Sequence, residues 1–414
     1  MYLFGHKKLL NHNTTFILIA SVLWLIAYNG IEFVFPSYLE SIGKSYATIG
    51  ILISIIAFGG VLIDLPLGNA CSRFSRKKLM ILGLVVSIIA VASIFLFTKN
   101  IYLAIIFFVL GMGYQTWVVP RDSYFASLSK SSNRSSMYGL NAETQYLGQS
   151  IGPILCGFFL LYFGYNKSFI FYIVFALLAI IIVHFSIKKE KHSELSASGL
   201  MSSMKFSSYV EGFKLLKKFG IFGVSLLLTS FMIMLFEAVL WALQPLFYGP
   251  DILNIPPHLG GLLLACFSIP GIILSYPAGK IADKYGRKKI LILSLLLIGI
   301  SLILFSQITN IYFIFLSAII ISIGWVFALP ALDGLIVNTL NVSENVAIIG
   351  VWGLFVDMGF VIGPLYAGVM SQLFGIRNTF MSVGIIFLTI APLLILLKPK
   401  RNLIKKIFNY DKRQ

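Results

Sequence analysis

Seven carboxylic acids fall within long apolar stretches of this sequence, where an ionised side chain is costly. A charge at the middle of a bilayer costs about 2.5–3.5 kcal/mol on insertion scales, so each acid needs a partner, a water-filled cavity or a proton. Such carboxyl groups can bind and release protons, and they favour protons and cationic or neutral solutes over anions. The seven acids are Glu32, Asp64, Asp122, Glu143, Glu237, Asp333 and Asp357.

Four of these acids are candidates for proton coupling: Glu32, Glu143, Glu237 and Asp357. Arg121 is the only basic residue that the sequence places within a span, and Asp64 lies one turn from a basic loop. Glu143 has an alternative interpretation, as a packing residue that is hydrogen-bonded to Tyr138 or Tyr146.

Glu32 and Glu237 stand out because each precedes a proline on its own apolar stretch. Proline has no N–H, so Pro36 frees the carbonyl of Glu32 and Pro245 frees that of Trp241. Broken helices with polar side chains near mid-membrane point to binding sites in transporters built from repeats. The alternative is a carboxyl that stays neutral and hydrogen-bonded in the packing.

Aromatic and amide side chains accompany these acids and are candidates for lining a substrate cavity. Asn141, Gln145 and Gln149 recur every four residues, which gives one helix a polar face. The tryptophans have an alternative role as membrane-interface anchors or packing residues. The cavity candidates are Trp24, Tyr28, Asn29, Gln115, Trp117, Gln145, Gln149, Trp241 and Gln244.

The elements that carry these residues are predicted to be membrane-spanning helices. Apolar residues make up 58% of the chain and charged residues 11%, with a mean hydropathy of +0.92, whereas a soluble domain has about 25% charged residues. Each apolar segment is close to the ~20 residues that a membrane helix needs. The twelve segments are 16–39, 47–70, 79–98, 101–123, 136–163, 168–187, 219–247, 258–281, 290–307, 310–336, 346–373 and 377–397.

The net charge of +17 is distributed as in a membrane protein and not as in a nucleic-acid-binding protein. With a cytoplasmic N-terminus, the outer loops hold only Lys44, Lys99, Lys167 and Arg377. This positive-inside bias predicts a multi-pass protein of the cell (inner) membrane with both termini in the cytoplasm.

Neither a metal, a cofactor nor an enzymatic activity is expected. The three cysteines lack metal-ligand spacing, and the five scattered histidines form no metal cluster or nucleophile–base set.

Two motifs recur at one common offset, which indicates an internal duplication. The stretch Pro277–Lys289 reads PAGKIADKYGRKK, and residues 66–78, which lie 211 positions earlier, read PLGNACSRFSRKK. The same offset relates two copies of a glycine–proline motif. The first contains Gly148, Gly152, Pro153 and Gly157, and the second contains Gly359, Gly363, Pro364 and Gly368.

The basic stretch resembles the signature loop of the major facilitator superfamily, which joins helices two and three of each half. The resemblance implies a gating latch at the cytoplasmic side, built on Gly279, Asp283, Gly286, Arg287 and Lys288. In the superfamily pattern, Asp283 faces the start of helix five near Ser135 and Ser136. It also implies two ion pairs, Arg287 with Asp333 and Arg76 with Asp122.

The first copy departs from the pattern, since Ser72 replaces the Asp and Ser75 replaces the turn Gly. Glu344, at the start of helix eleven, is expected to compensate in part.

The glycine–proline motif in helix five resembles that of the superfamily's drug and proton antiporters. Cys156 replaces one of its glycines, and Phe107 occupies the position of an arginine that those exporters carry in helix four. Ordinary helix packing is the alternative, and the second copy in helix eleven favours it.

The predicted fold is all-α, with twelve transmembrane helices in two pseudo-symmetric six-helix halves. The halves are 1–187 and 219–414, joined by a cytoplasmic linker, 188–218, with a basic amphipathic segment at 209–219. The predicted function is secondary transport by alternating access, through proton-coupled export of a small cationic or neutral drug-like compound. The alternative is proton-coupled uptake of a metabolite such as a sugar or amino acid. The expected partners are this substrate, protons and the lipid bilayer, and the protein is expected to be a monomer.

Overall fold

The structure is a computed structural model that describes residues 12–128, 134–187, 207–249, 252–340 and 346–397. Side chains are not described at 65, 69, 72, 134–139, 207–219, 340 and 346–349. The predictions that concern Ser72, Ser135, Ser136, Tyr138, Glu344 and the amphipathic character of 209–219 therefore lie outside the described side chains.

The first half of the chain forms six apolar helices. The first four are α1 (His12–Ser41), α2 (Tyr46–Arg73), α3 (Arg76–Ser93), which is followed by a short 3₁₀ turn at Ile94–Leu96, and α4 (Asn100–Leu128). The helical run Arg134–Ser186 is interrupted at Gly164, where φ is 75°. This break gives α5 (134–163) and α6 (165–186).

The second half repeats the pattern after a linker helix. The run Ser207–Phe247 is interrupted at Gly220, where φ is 65°, which separates the linker helix (207–219) from α7 (221–247). Helix α8 spans Pro257–Tyr285, with a short break between Cys266 and Ile269. The remaining helices are α9 (Arg287–Gln307), α10 (Ile311–Leu340), α11 (Val346–Phe374) and α12 (Ile376–Leu396).

The described residues form these twelve apolar helices and the linker helix, which confirms the predicted all-α membrane fold. Eleven helical runs in the described residues are long and apolar enough to cross a membrane, and the longest, Leu140–Ser186, is two spans because of the break at Gly164. Gly375, between α11 and α12, has a φ of 86° and lies 211 positions after Gly164. A positive φ is easily adopted only by glycine, so both halves make the same sharp turn for the same reason.

The repeated glycine motif packs helices closely in both halves. A Cβ atom added at Gly152 on α5 would lie 2.6 Å from the Ile26 carbonyl oxygen on α1. One added at Gly363 on α11 would lie 2.6 Å from the Cβ of Ala238 on α7. Lipid offers little hydrophobic drive for association, so small residues that allow close backbone contact stabilise such interfaces. Gly148 and Gly359 pack in the same way, against Leu25 and against Met234.

The last glycine of each motif copy contacts a different helix. A Cβ atom at Gly157 would lie 2.7 Å from the carbonyl oxygen of Pro257, at the start of α8. One at Gly368 would lie 2.5 Å from the carbonyl oxygen of Tyr46, at the start of α2. Tyr46 and Pro257 are again 211 positions apart, so the duplication extends to these contacts.

Contacts between Cα atoms divide the chain into two compact units. One unit comprises Met1–Met204 together with Trp241–Ile272 and Pro364–Gln372, and the other comprises Lys205–Leu240, Ile273–Gly363 and Leu373–Gln414. The contacts of Gly157 and Gly368 lie within the first unit. The predicted domain limits at 187 and 219 remain predictions.

Candidate functional site

Two tyrosines and a glutamate lie together on α1 and α4 in the first unit. The rings of Tyr28 and Tyr114 have centroids 4.2 Å apart. Glu32 follows Tyr28 by one helical turn and interacts electrostatically with it. Glu32 is partly exposed, whereas Tyr28 is 7% exposed. This tyrosine–glutamate cluster (Tyr28, Glu32 and Tyr114) combines aromatic rings with a carboxylate, which are the groups that recognise an organic cation.

A second aromatic group fills the space between α1, α4 and α6. The ring centroid of Trp24 lies 6.1 Å from that of Trp117 and 5.5 Å from that of Tyr172. All three side chains have no accessible surface. Trp24 and Trp117, which the sequence suggested as cavity residues, are thus fully buried among these rings, and their place in a substrate cavity remains a prediction. Their Nε1 atoms make no hydrogen bond within the described structure.

The amide candidates are mostly engaged in contacts within the protein. Asn29 Nδ2 donates to the Leu25 carbonyl at 2.7 Å, which turns this side chain back onto α1. Gln244 Nε2 donates to the Gly260 carbonyl at 3.1 Å and joins α7 to α8. Gln115 Nε2 donates to Asp64 Oδ1 at 3.0 Å. Gln145 is exposed and Gln149 is partly exposed, so these two amides retain accessible surface.

The acids of the second unit lie on α7 and α11. Glu237 and Asp357 are both partly exposed. Within the described residues Glu237 makes no hydrogen bond or ion pair. Its neighbour Phe236 packs edge-on against Trp325 and Phe387, with ring centroids 5.7 and 5.6 Å away, which holds α7 in place beside the carboxyl group.

Two further candidates lie in the first unit. Trp241, one turn after Glu237 on α7, is 8% exposed, and Glu143 on α5 is partly exposed.

The second-half signature loop makes a different contact from the predicted one. Arg287 Nε donates to Asp283 at 2.7 Å, and its Nη1 donates to the carbonyl of Gly334 at 2.7 Å. The predicted pair with Asp333 is therefore replaced by a contact with the backbone of the next residue. Gly334 has no side chain, and a Cβ atom there would lie 2.5 Å from Arg287 Nη1. The missing side chain leaves room for the guanidinium to lie directly on α10.

The first-half loop repeats this contact at the equivalent positions. Arg76 Nη1 donates to the carbonyl of Ser123 at 2.8 Å. Ser123 follows Asp122 and lies 211 positions before Gly334. Asp122 is occupied by another partner, Arg121, whose Nε and Nη2 donate to its Oδ1 at 3.0 and 2.8 Å. The predicted Arg76–Asp122 pair is thus replaced by Arg121–Asp122.

Arg121 was missed as a partner because it is adjacent to Asp122, and neighbouring residues on a helix usually point in different directions. The structure buries the Arg121 side chain to 1% exposure, while that of Asp122 keeps 42%. A buried guanidinium needs a charge partner, and Asp122 is the carboxylate within reach. Asn141 Nδ2 on α5 also donates to Asp122 Oδ1, at 3.2 Å.

The first lysine of each Arg-Lys-Lys run has a role that the sequence analysis did not assign. Lys77 Nζ donates to the carbonyls of His184 and Ile187 at 2.5 and 2.6 Å, at the end of α6. Lys288 Nζ donates to the carbonyl of Leu397 at 2.6 Å, at the end of α12. The last carbonyls of a helix lack backbone partners and carry partial negative charge, so a lysine stabilises them. The sequence signal that could have identified these lysines is the recurrence of the Arg-Lys-Lys run at an offset of 211.

Among the described residues no group of three His, Cys, Asp or Glu side chains could hold a metal ion. The three cysteines are free and buried. Gly279 and Gly286 belong to the second-half loop, and Gly286 has a φ of 97° at the turn between α8 and α9.

Comparison with known proteins gives one consistent result. The family model of the Major Facilitator Superfamily matches residues 17–236 and again 226–409. The chain is 24% identical over 404 residues to Multidrug resistance protein 2 of Bacillus subtilis, covering 96% of this chain and 98% of that protein. It is 30% identical over 112 residues to Quinolone resistance protein NorA of Staphylococcus aureus, covering 27% of this chain and 29% of that protein.

Solved structures agree on the fold. A bacterial homologue of the human lysosomal transporter Spinster aligns with a TM-score of 0.74 at 15% identity, over 95% of this chain and 97% of that one. The nucleoside transporter NupG aligns with a TM-score of 0.72 at 13% identity, over 93% and 99%. The two matches to one family model fit the duplication at an offset of 211, and the twelve helices fit the shared fold. The chain is a multi-span membrane protein that belongs to the Major Facilitator Superfamily of small-molecule transporters, which are not enzymes.

Proposed function

We propose that this transporter exports small organic cations or neutral drug-like molecules in exchange for protons. The observation that carries the proposal is the tyrosine–glutamate cluster, in which Glu32 accompanies the paired rings of Tyr28 and Tyr114. A cation near an aromatic face gains about 0.5–2 kcal/mol, more when water is excluded. A carboxylate beside the rings adds charge attraction, which a proton on the same group removes.

This competition supplies a physical basis for antiport. A cationic substrate and a proton both bind to the ionised carboxylate of Glu32. Binding of one therefore weakens binding of the other. Glu237, which has no ion pair within the described residues, is a second carboxyl that can change its protonation state. Glu143 and Asp357 remain further candidates for proton coupling, with weaker structural support.

The comparison also supports export. Multidrug resistance protein 2, which matches over nearly its whole length, is named for resistance to several drugs. Uptake of a sugar or amino acid is the second candidate, favoured by the partly exposed amide of Gln149. It is disfavoured by the other amides, since Asn29, Gln115 and Gln244 are engaged by protein groups.

The orientation proposed from the charge distribution places both termini in the cytoplasm and the protein in the cell (inner) membrane. In that orientation the signature loops face the cytoplasm. The protein is proposed to function as a monomer, without a cofactor.

Purified protein in liposomes with an imposed pH gradient tests the function directly. We expect tetraphenylphosphonium or ethidium to move against the proton flux, and the movement to stop when the gradient is collapsed. Sugars and amino acids serve as comparison substrates under the same gradient. Movement of a metabolite together with protons, with no movement of either cation, would replace export with the uptake alternative.

A further inference from the structure

Asp64, on α2, is an acid within a membrane span. Its position in the duplicated half, 211 residues later, is Ser275 on α8. The helix-packing glycines and the basic residues of the loops recur in both halves, but this carboxyl group does not. A charge that only one half carries, in an apolar helix, needs a reason other than the shared fold.

The side chain of Asp64 has one neutral partner. It is partly exposed, and its Oδ1 accepts a hydrogen bond from Gln115 Nε2 on α4 at 3.0 Å. Within the described residues no Lys or Arg pairs with it. An amide donor stabilises an ionised carboxylate but supplies no compensating charge.

Asp122, a second carboxylate, interacts electrostatically with Asp64 and lies two turns after Gln115 on α4. Arg121 already occupies Asp122 with its Nε and Nη2 atoms, and Asn141 adds a third donor. The group therefore contains two carboxylates and one guanidinium. The excess negative charge resides on Asp64, since Asp122 is neutralised by Arg121.

A carboxyl group in a membrane span that has no cationic partner is a site at which a proton can neutralise the charge. An acid in a span needs a partner, a cavity or a proton, and within the described residues Asp64 has an amide donor but no cation, so a proton is what can neutralise it. Of the groups on α4, Gln115 is hydrogen-bonded to Asp64 and Asp122 interacts with it electrostatically, while Arg121 and Asn141 donate to Asp122.

We infer that Asp64 is a proton-binding site of the first half, loaded and unloaded during transport, with Gln115 as its positioning residue. This inference rests on the proposed proton exchange and adds a site to Glu32 and Glu237. The step is a simple protonation, in which the carboxylate takes a proton from water and later returns it. No other bond forms or breaks. Gln115 donates to the ionised form, and its amide oxygen can accept from the neutral form after rotation.

The site lies towards the cytoplasm in the proposed orientation. Asp64 precedes the end of α2, Arg73, by nine residues, which is roughly 14 Å at 1.5 Å per residue. This is about two and a half turns, and not the single turn expected from the sequence. That depth is within the inner half of a ~30 Å hydrocarbon core. A carboxyl group there is placed to exchange protons with the cytoplasm.

Proton release from purified protein in weakly buffered detergent solution tests the inference. Addition of tetraphenylphosphonium to the wild type should release protons, and Asp64→Asn should release about one fewer per bound cation. Glu40→Gln is the control, because it removes a carboxyl group at the end of α1, where Glu40 Oε1 accepts a hydrogen bond from the Tyr46 hydroxyl. This variant should release as many protons as the wild type. The Asn side chain can keep the contact with Gln115, so folding should be retained.

A second variant separates proton binding from structure. Gln115→Leu removes the donor that stabilises the ionised carboxylate, so the pH midpoint of proton release should move upwards. If the wild type releases no proton when the cation binds, the proposed proton exchange fails and this inference falls with it. If the wild type releases protons while Asp64→Asn releases the same number and Gln115→Leu leaves the midpoint unchanged, the function stands and Asp64 is not a proton site.

Discussion

Lys77 Nζ donates a hydrogen bond to the backbone carbonyl of Ile187 at 2.6 Å, which ties the start of α3 to the end of α6. The equivalent lysine, Lys288, makes the same kind of contact with Leu397 beyond α12. The two arginines that precede these lysines also make matched contacts, with the carbonyls of Ser123 and Gly334. The basic loop thus joins helices within each half through hydrogen bonds to their backbone carbonyls. This role is separate from any latch between the halves.

The first prediction concerns these helix-end contacts. Lys77→Met and Lys288→Met each remove a cation from a helix C-terminus, which is worth about 0.3–1 kcal/mol at exposed positions. We expect each variant to lower the melting temperature of the detergent-purified protein, and the double variant to lower it by the sum, because the sites share no partner. Lys78→Met and Lys289→Met, which change exposed neighbours, should leave it unchanged. If the Lys78 and Lys289 variants lower the melting temperature as much as the Lys77 and Lys288 variants, the loss of positive charge is responsible and not the loss of the helix-end contact.

The second prediction tests the close helix packing. Gly363→Ala places a Cβ atom 2.6 Å from that of Ala238, so α11 and α7 must separate, and overpacking of this kind costs about 1–3 kcal/mol. Gly353→Ala is the matched control on the same helix, since nothing lies within 4 Å of its Cβ position. Thermal unfolding of both should show destabilisation by the first alone. A stable Gly363→Ala protein would mean that the interface adjusts readily.

The third prediction concerns orientation. After replacement of the three buried cysteines, single cysteines at Lys99 and Lys167 should react in intact cells with a membrane-impermeant maleimide. Cysteines at Lys191 and Lys289 should react only after lysis, because the positive-inside bias assigns them to the cytoplasm. The reverse labelling pattern would invert the proposed topology and move the signature loops to the outer surface.

The fourth prediction separates proton coupling from substrate binding. Glu32→Gln and Glu237→Gln mimic permanently neutral carboxyl groups. A coupling residue should lose transport driven by a pH gradient and keep substrate exchange at equal pH. Glu32→Leu and Glu237→Leu are the comparison variants, because leucine also removes the hydrogen bonding of the side chain. Full gradient-driven transport in both Gln variants would exclude these two acids and direct attention to Asp357.

The fifth prediction concerns Arg121, whose side chain is buried against Asp122. Arg121→Gln leaves Asp122 without its cation, and we expect lower stability, with a reduced effect because Asp122 is 42% exposed. The double variant Arg121→Gln, Asp122→Asn removes both charges and should recover part of the loss. A double-mutant cycle on melting temperature measures the coupling between the two residues. If the changes in melting temperature of the two single variants add up to that of the double variant, the ion pair contributes no coupling between the two residues.

The sequence alone determined the twelve spans, their duplication and the residues of the basic loops. These features are local or periodic: a membrane helix must be about 20 apolar residues long, and a duplicated motif recurs at one offset whatever its contacts. The sharp turns at Gly164 and Gly375 follow the same logic, because only glycine readily adopts their positive φ.

The tertiary structure alone decided which side chains meet. Spacing places a residue on a helix face, but the rotation and depth of the neighbouring helix determine its partner. Arg287 therefore reaches the carbonyl of Gly334 instead of Asp333, because the glycine leaves room for the guanidinium. Trp24 is fully buried in the same way, since α4 and α6 enclose it. The contact of Asp64 with Gln115 joins residues on two helices whose relative depth no local pattern records.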